Sequence, residues 1–537
     1  MSSPLARLRV HSGQIVAAQV ALAVMVAGGG RPGSVAAGAV LLVAAFTRVR
    51  GQWLFRWWRA AAGLAVRRWR STGADPGSGL AVARPGVRVT EVPLDRPAAA
   101  LTDGYGTVVV LEVDSGATAP ATPVVLPAIP DLPVQLLLSA VPAPPGTDPA
   151  ARSYRELAGS AATTVRQALL AVRVGPDDDA GALVRAVRRR LAPRQVRSLT
   201  TGELAGVLAS LGCAPPVRES WSWLRAGGLW HATYLLDRGG GSLSDLVAGW
   251  LAAPGPVATV VSVTGAGVAA RVAEDPVHRP LAAVPRDGYR LDGDHLPGLV
   301  ATLPLGVGPP YRPPRPPPRG HSSRGPAGPP EPVRLDPAGL VIGRGEAGEL
   351  VRAELFGRRG VRVVVVGGGA GARWLAWRAL GAGARVVART ADPAAWDPLS
   401  ATAPPGQLSV VPPHGAGPVP GEPHRPVLDI ADAPGSGFTP ATGGWCAEVV
   451  VRPRVGGAEV GLLGRAGLVL CAPLTEPEAT MVSAALGLGS SGTELRRPRE
   501  RPALAVIGQR AVRWLQPCLT AAERELFGPD PFARRAT

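Results

Sequence analysis

Val363-Val364-Val365-Val366-Gly367-Gly368-Gly369-Ala370-Gly371-Ala372 is the stretch on which the fold turns. Four consecutive β-branched residues read as a buried strand. The glycines read as a tight turn. Ala372–Leu380 then reads as a helix and Arg385–Arg389 as the next strand. Further strands are expected near Ala447–Val451 and Gly467–Cys471. Strands alternating with helices predict a parallel sheet covered by helices, so 333–537 is expected to be an α/β half with a Rossmann-like βαβ. Gly367, Gly369 and Ala372 fall at G-x-G-x-x-A spacing. That pattern lets a pyrophosphate approach a helix N-terminus. Asp392 supplies an acid after the next strand, later than a dinucleotide site places it. In a chain with 69 glycines a purely structural turn satisfies the same spacing, and that is the expectation; nucleotide binding is the alternative.

Working outward, the chain has 537 residues and a net charge of +17, with no Lys and no Asn. A consensus phosphate loop, G-x-x-x-x-G-K, therefore cannot occur, which excludes a conventional Walker ATPase motor. H-E-x-x-H and G-x-S-x-G are absent, and the seven His show no metal spacing. Asp292, Asp294 and His295 are the nearest approach to a metal cluster, and a loop is the simpler reading. His231, between Trp230 and Tyr234, reads as a packed structural histidine. No catalytic residue, cofactor or metal is expected. Cys213, Cys446, Cys471 and Cys518 are far apart and read as buried, reduced thiols.

Ten of the Arg residues lie within 1–70, where there is no Asp or Glu. Ser12–Gly30 is uncharged over 19 positions, about 28 Å of helix. Gly28-Gly29-Gly30-Arg31-Pro32-Gly33 reads as a turn, and a second, shorter uncharged run reaches Thr47. Residues 1–72 are therefore expected to form a two-helix transmembrane hairpin with a basic aromatic flank. A signal peptide and a buried core hairpin are the competing readings. Arg placement puts both termini in the cytosol of a two-pass inner-membrane protein. Arg48, Arg50, Trp53, Arg56, Trp57 and Trp58 are the expected membrane-interface residues, with membrane lipid rather than nucleic acid as their partner. Gly33, Gly38 and Ala39 are expected to allow close helix packing.

A linker at 71–79 leads to a first α/β half over 73–306. Its strands are expected at Thr107–Val113, Val134–Val141, Leu169–Val174 and Val257–Val263, the last turning at Gly265–Gly267 into Val268–Val272. Leu183, Val184, Val187 and Leu191 mark one helix stripe. A capping box at Thr200–Glu203 opens another, with Leu204, Val207, Leu208 and Leu211 inward. The Pro-rich run over 307–332 reads as an extended linker.

Several stretches carry a likeness to a known family. They are Thr47–Phe55 after the apolar runs, Ala151–Leu157, Glu219-Ser220-Trp221-Ser222-Trp223 leading to Gly228–Tyr234, Val361–Ala388, and the tail Leu515–Phe527. In that order, over nearly the whole chain, they resemble EccE, a membrane subunit of the type VII (ESX) secretion system of actinobacteria. The Gly367–Gly371 run and the long Pro-rich linker depart from that likeness. The resemblance implies a non-catalytic structural subunit that assembles with EccB, EccC and EccD, with EccC as the ATPase. It carries over no catalytic residue. The competing reading is a membrane-tethered nucleotide- or nucleotide-sugar-binding enzyme using the turn at 367–372.

Overall fold

The computed structural model describes residues 12–532 apart from 50–51, 72–78, 95, 115–123, 127–133, 146–147, 160–161, 192–194, 237–240, 254, 266, 276–287, 307–330, 336, 416–419, 434–435, 437–443, 497–502 and 509–510. Most of the Pro-rich segment and part of the 71–79 segment thus lie outside the described residues.

Two short helices come first, α1 (Ser12–Ala27) and α2 (Pro32–Phe46). Gly29 and Gly30, both at positive φ, turn the chain between them. They pack closely at Gly38, where a Cβ would meet the Met25 side chain at 2.4 Å and the Ala21 carbonyl at 2.9 Å. Gly33 has open space around it, so only Gly38 of the two glycines serves the seam. No helix among the described residues is long and apolar enough to cross a membrane. The expected transmembrane hairpin is corrected accordingly, and with it the two-pass inner-membrane placement with cytosolic termini. The reason is length. Among the described residues α1 has 16 residues before the glycine turn, and extended backbone after Phe46 ends α2 after 15. At 1.5 Å per residue these reach about 24 and 22 Å, short of a core about 30 Å thick. The next helix, α3 (Leu54–Ser71), has 18 residues but carries Arg56, Arg59, Arg67, Arg68 and Arg70.

After α4 (Gly79–Ala83), the first half builds one large sheet whose pairings are all antiparallel. In chain order its strands are β1 (Arg88–Val92), β2 (Ala98–Asp103), β3 (Gly106–Asp114), β4 (Val134–Pro142), β5 (Thr163–Val174), β6 (Gln195–Ser198), β7 (Arg218–Glu219), β8 (Leu224–Ala226), β9 (Leu229–Leu236), β10 (Ala258–Thr264), β11 (Gly267–Glu274) and β12 (Gly288–Arg290). Its helices are α5 (Pro149–Ala158), α6 (Ala180–Leu191), α7 (Thr201–Leu208), α8 (Leu243–Leu251) and α9 (His295–Ala301). The expected strands and helices of this half coincide with these elements, except that Val257 precedes β10 and Leu211 follows α7 in the π-helical turn Ala209–Cys213. The Thr200–Glu203 capping box is formed at the start of α7.

The spatial order is β7-β8-β9-β11-β10-β4-β5-β3-β2-β1. Read from either end it repeats itself, with β10 and β4 at the centre. The correspondence extends to detail. The first part of β3 pairs with its hairpin partner β2 and the rest with β6. The first part of β9 likewise pairs with β8, and its end with β12. Each late strand is followed by a helix, α7 or α9. The strand pairing of the half thus repeats about a pseudo-two-fold axis at the β4–β10 pair, whereas α5, between β4 and β5, has no counterpart between β10 and β11. Apolar clusters cover both faces, so β3 alternates Val109 and Leu111 to one core with Val108 and Val110 to the other.

After a strand at Val333–Leu335 that pairs with Val124–Leu126 of the first half, the second half continues with the hairpin β13 (Leu340–Arg344) and β14 (Leu350–Ala353). Its main sheet contains β15 (Val361–Val366), β16 (Arg385–Thr390), β17 (Leu408–Val411), β18 (Val427–Asp432), β19 (Cys446–Arg452), β20 (Leu468–Cys471), β21 (Leu504–Gly508) and β22 (Ala511–Leu515). The helices are α10 (Gly369–Gly381), α11 (Asp397–Thr402), α12 (Val460–Leu463), α13 (Glu476–Leu486) and α14 (Ala521–Phe527). The order is β17-β16-β18-β19-β15-β20-β21-β22. It is parallel from β17 to β20, β21 runs antiparallel to β20, and β22 antiparallel to β21. The expected parallel sheet is present, but β15 and β16, joined by α10, are separated by β18 and β19. The Rossmann expectation is therefore corrected, since that fold keeps its first two strands adjacent.

The two halves share a core. Val141, Ala150, Tyr154 and Val165 pack in one cluster with Val363, Trp374, Trp377 and Phe532. Helix α5 lies against α10 so closely that a Cβ on Gly381 would sit 2.4 Å from the Ala150 carbonyl. The Tyr154 hydroxyl donates to the Gly339 carbonyl at 3.1 Å, and Thr164 Oγ1 to the Ala382 carbonyl at 3.1 Å.

Candidate functional site

The turn singled out in sequence is built by β15 running out of the sheet into α10. Gly367 and Gly368 have φ of +130° and +115°, which only glycine adopts without strain. The Gly367 amide donates to the Arg452 carbonyl of the neighbouring β19 at 3.0 Å. A Cβ on Gly369 would lie 2.9 Å from Asp432 Oδ2 and 3.0 Å from Arg373 Nη1. Asp432 ends β18, two strands from β15, and burial raises its carboxyl above the usual range, opposed by the Arg373 charge. On the other side the tail closes in. A Cβ on Gly371 would come within 2.6 Å of the Phe532 ring, and that ring meets Trp374 edge-on at 5.2 Å.

Gly367, Gly369 and Ala372 therefore do share one turn, as their spacing implies. Sequence reading missed Arg373, Asp432 and Phe532 around it. Asp432 had a signal, an acid closing the strand-like run Val427–Ala431, within which Asp429 is a second acid. Asp392 is not part of the turn; its side chain accepts from the Ala395 amide and caps a short helix, while its charge adds to the raising of Asp432.

Beneath the turn lies a buried ion pair. Arg378 and Glu523 are 0% and 1% exposed and meet through two bonds of 2.6 and 2.9 Å. Arg378 also donates to the carbonyls of Val341, at 2.7 Å, and Cys518, and lies 4.1 Å from the Trp374 ring centre. Glu523 closes the capping box of α14 with Thr520. The pair thus ties the tail to α10.

A second buried cluster lies in the first half. His231 Nδ1 accepts from Arg271 Nη1 at 2.8 Å. Its Nε2 therefore carries the proton and donates to the Ala226 carbonyl at 3.0 Å. Burial and the Arg271 charge push the imidazole down to about 3, so this histidine, packed as expected, is neutral. Burial also lowers Arg271, to about 10. Cys213 lies nearby, its thiol pushed up to about 12 by burial. Cys213, Cys446 and Cys471 are buried and outside any disulfide, whereas Cys518 is partly exposed.

The expected membrane-interface residues have a different setting where they are described. Arg50 lies outside the described residues, and Arg48 and Trp53 belong to a short two-stranded ribbon. Arg56, Trp57 and Trp58 lie on α3. Trp57 stacks on Trp221 at 5.5 Å, and Trp58 is half exposed. Further along, Arg67 pairs with Glu219 at 2.8 Å and donates to the Gly293 carbonyl at 2.5 Å. At least part of the basic aromatic helix is thus held against the first half. Asp294 meets Arg67 at 3.3 Å, Asp292 lies 3.8 Å from His295, and no group able to hold a metal occurs among the described residues. Compared with known proteins, the chain matches no protein-family model and no curated protein.

Proposed function

We propose that the chain is a non-catalytic structural subunit of a type VII secretion complex, working with EccB, EccC and EccD during protein export. The supporting observation is where the family-like stretches lie. Glu219 and Trp221 hold α3 through Arg67 and Trp57. Tyr154 and Ser153 of the Ala151–Leu157 stretch bond Gly339 and Thr520. The tail stretch supplies Glu523 to Arg378. The residues that resemble the family are those that lock helix, halves and tail into one body, which is what a scaffold requires. Its mechanism is packing, with both halves offered to partners as a rigid unit.

The test is affinity purification of the full chain from its native host in mild detergent, followed by mass spectrometry. EccB, EccC and EccD in fixed proportion are the expected result. Recovery of the chain alone refutes the reading.

A further inference from the structure

Numbered by appearance in the main sheet of the second half, the strands lie in the order 3-2-4-5-1-6-7-8, with the seventh antiparallel to the sixth. That is the sheet order of P-loop nucleoside triphosphatases of the recombinase and motor class. In that class the phosphate loop follows strand 1 and an acid for the magnesium ion ends strand 4 when the third is the outer edge strand. Here β15 is strand 1 and Gly367–Trp374 follows it. Strand 4 is β18, and it ends in Asp432.

The match reaches single positions. Against G-x-x-x-x-G-K-[ST], Gly367 stands at the first glycine, Ala372 at the second, Arg373 at the lysine and Trp374 at the hydroxyl. Each place where the chemistry of a phosphate loop resides has changed. The hydroxyl that would ligate magnesium is an indole with 0% exposure. The basic group lies by Asp432, whose carboxylate would otherwise face the metal. Only Gly367 and Gly368 separate β15 from α10, so the helix begins inside the motif and no ring of amides is left to encircle a phosphate. Phe532, 2% exposed, packs on Gly371 and Trp374, and its carbonyl lies 3.4 Å from where a Gly367 Cβ would stand.

We infer that the second half is a P-loop triphosphatase fold that has lost nucleotide binding, with the chain's own Phe532 sealing the closed loop. The inference stands apart from the choice of secretion partners. It deepens the non-catalytic reading by giving the reason: the fold of a motor domain is kept as a rigid body while its phosphate site is filled from within.

Two measurements on the full chain test it. The first is calorimetric titration with MgATP and with magnesium tripolyphosphate up to about 5 mM. No saturable binding is expected. Binding with a Kd below about 100 μM that is lost in Gly367→Val overturns the inference. The second is hydrogen exchange of the amides at 366–374 in the wild type, Phe532→Ala and Phe532→Leu. At least a tenfold faster exchange in Phe532→Ala is expected, with near wild-type protection in Phe532→Leu, which keeps the seal. Equal protection in all three refutes the sealing role, whether or not the secretion partners co-purify.

Discussion

Glu523→Ala removes the carboxylate that neutralises a fully buried arginine. Arg378 keeps its bonds to the Val341 and Cys518 carbonyls but loses both charge-assisted bonds to Glu523. Stranding one member of a buried ion pair costs about 3–5 kcal/mol. Glu523 also accepts from the Thr520 amide at 3.0 Å, and losing that cap adds about 1 kcal/mol. The total is about 4–6 kcal/mol. For a unit of about 200 residues it lowers the midpoint of thermal unfolding by about 8–24 °C. Urea and thermal unfolding followed by tryptophan fluorescence reads the loss, because Trp374 and Trp377 are buried beside the pair. The double variant Arg378→Met, Glu523→Leu removes both charges and is expected to recover at least half of it, since an apolar pair of similar volume replaces the ions. A single-variant cost below about 1 kcal/mol, or a double variant no better than the single, refutes the claim that this pair fastens the tail.

Three further outcomes are expected. The His231 proton affinity is depressed to about 3 in the folded chain against about 6.5 unfolded, so its stabilisation is present above pH 6.5 and lost as pH falls toward 3; about 2–3 kcal/mol should go between pH 7 and 4.5, with a shallower slope in His231→Gln on urea unfolding. Gly381→Val places a side chain against the Ala150 carbonyl and Tyr154, so the α5–α10 seam must open; a loss above about 2 kcal/mol by urea unfolding is expected, and a neutral substitution contradicts the seam. Trp221→Ala removes the stack under Trp57, worth about 0.5–1.5 kcal/mol beyond burial, and should speed hydrogen exchange in 54–71 while leaving the second sheet unchanged.

The elements were legible where short-range physics governs them. Four valines from Val363, the capping box at Thr200 and the stripe Val184–Val187–Leu191 each form what their pattern predicts. Charge and hydropathy misled at the N-terminus. The uncharged run Ser12–Gly30 counts its own turn as helix length, and Gly29 and Gly30, both at positive φ, follow a helix that ends at Ala27. The Gly-rich turn was legible as a turn but not as part of a particular sheet, because β18 was overlooked and Asp432 with it.

The sequence by itself determined the strand–turn–helix at 361–381, the exclusion of a lysine phosphate loop and the packed, structural reading of His231. These depend on residue type and on neighbours within a few positions. Only the tertiary structure decided that two strands enter between β15 and β16, that the first half repeats about a pseudo-two-fold axis, and that Phe532 lies on a turn 161 residues before it. Pairings at that separation are selected by burial of complementary surfaces, and no local pattern in the chain records which strand or tail will supply them.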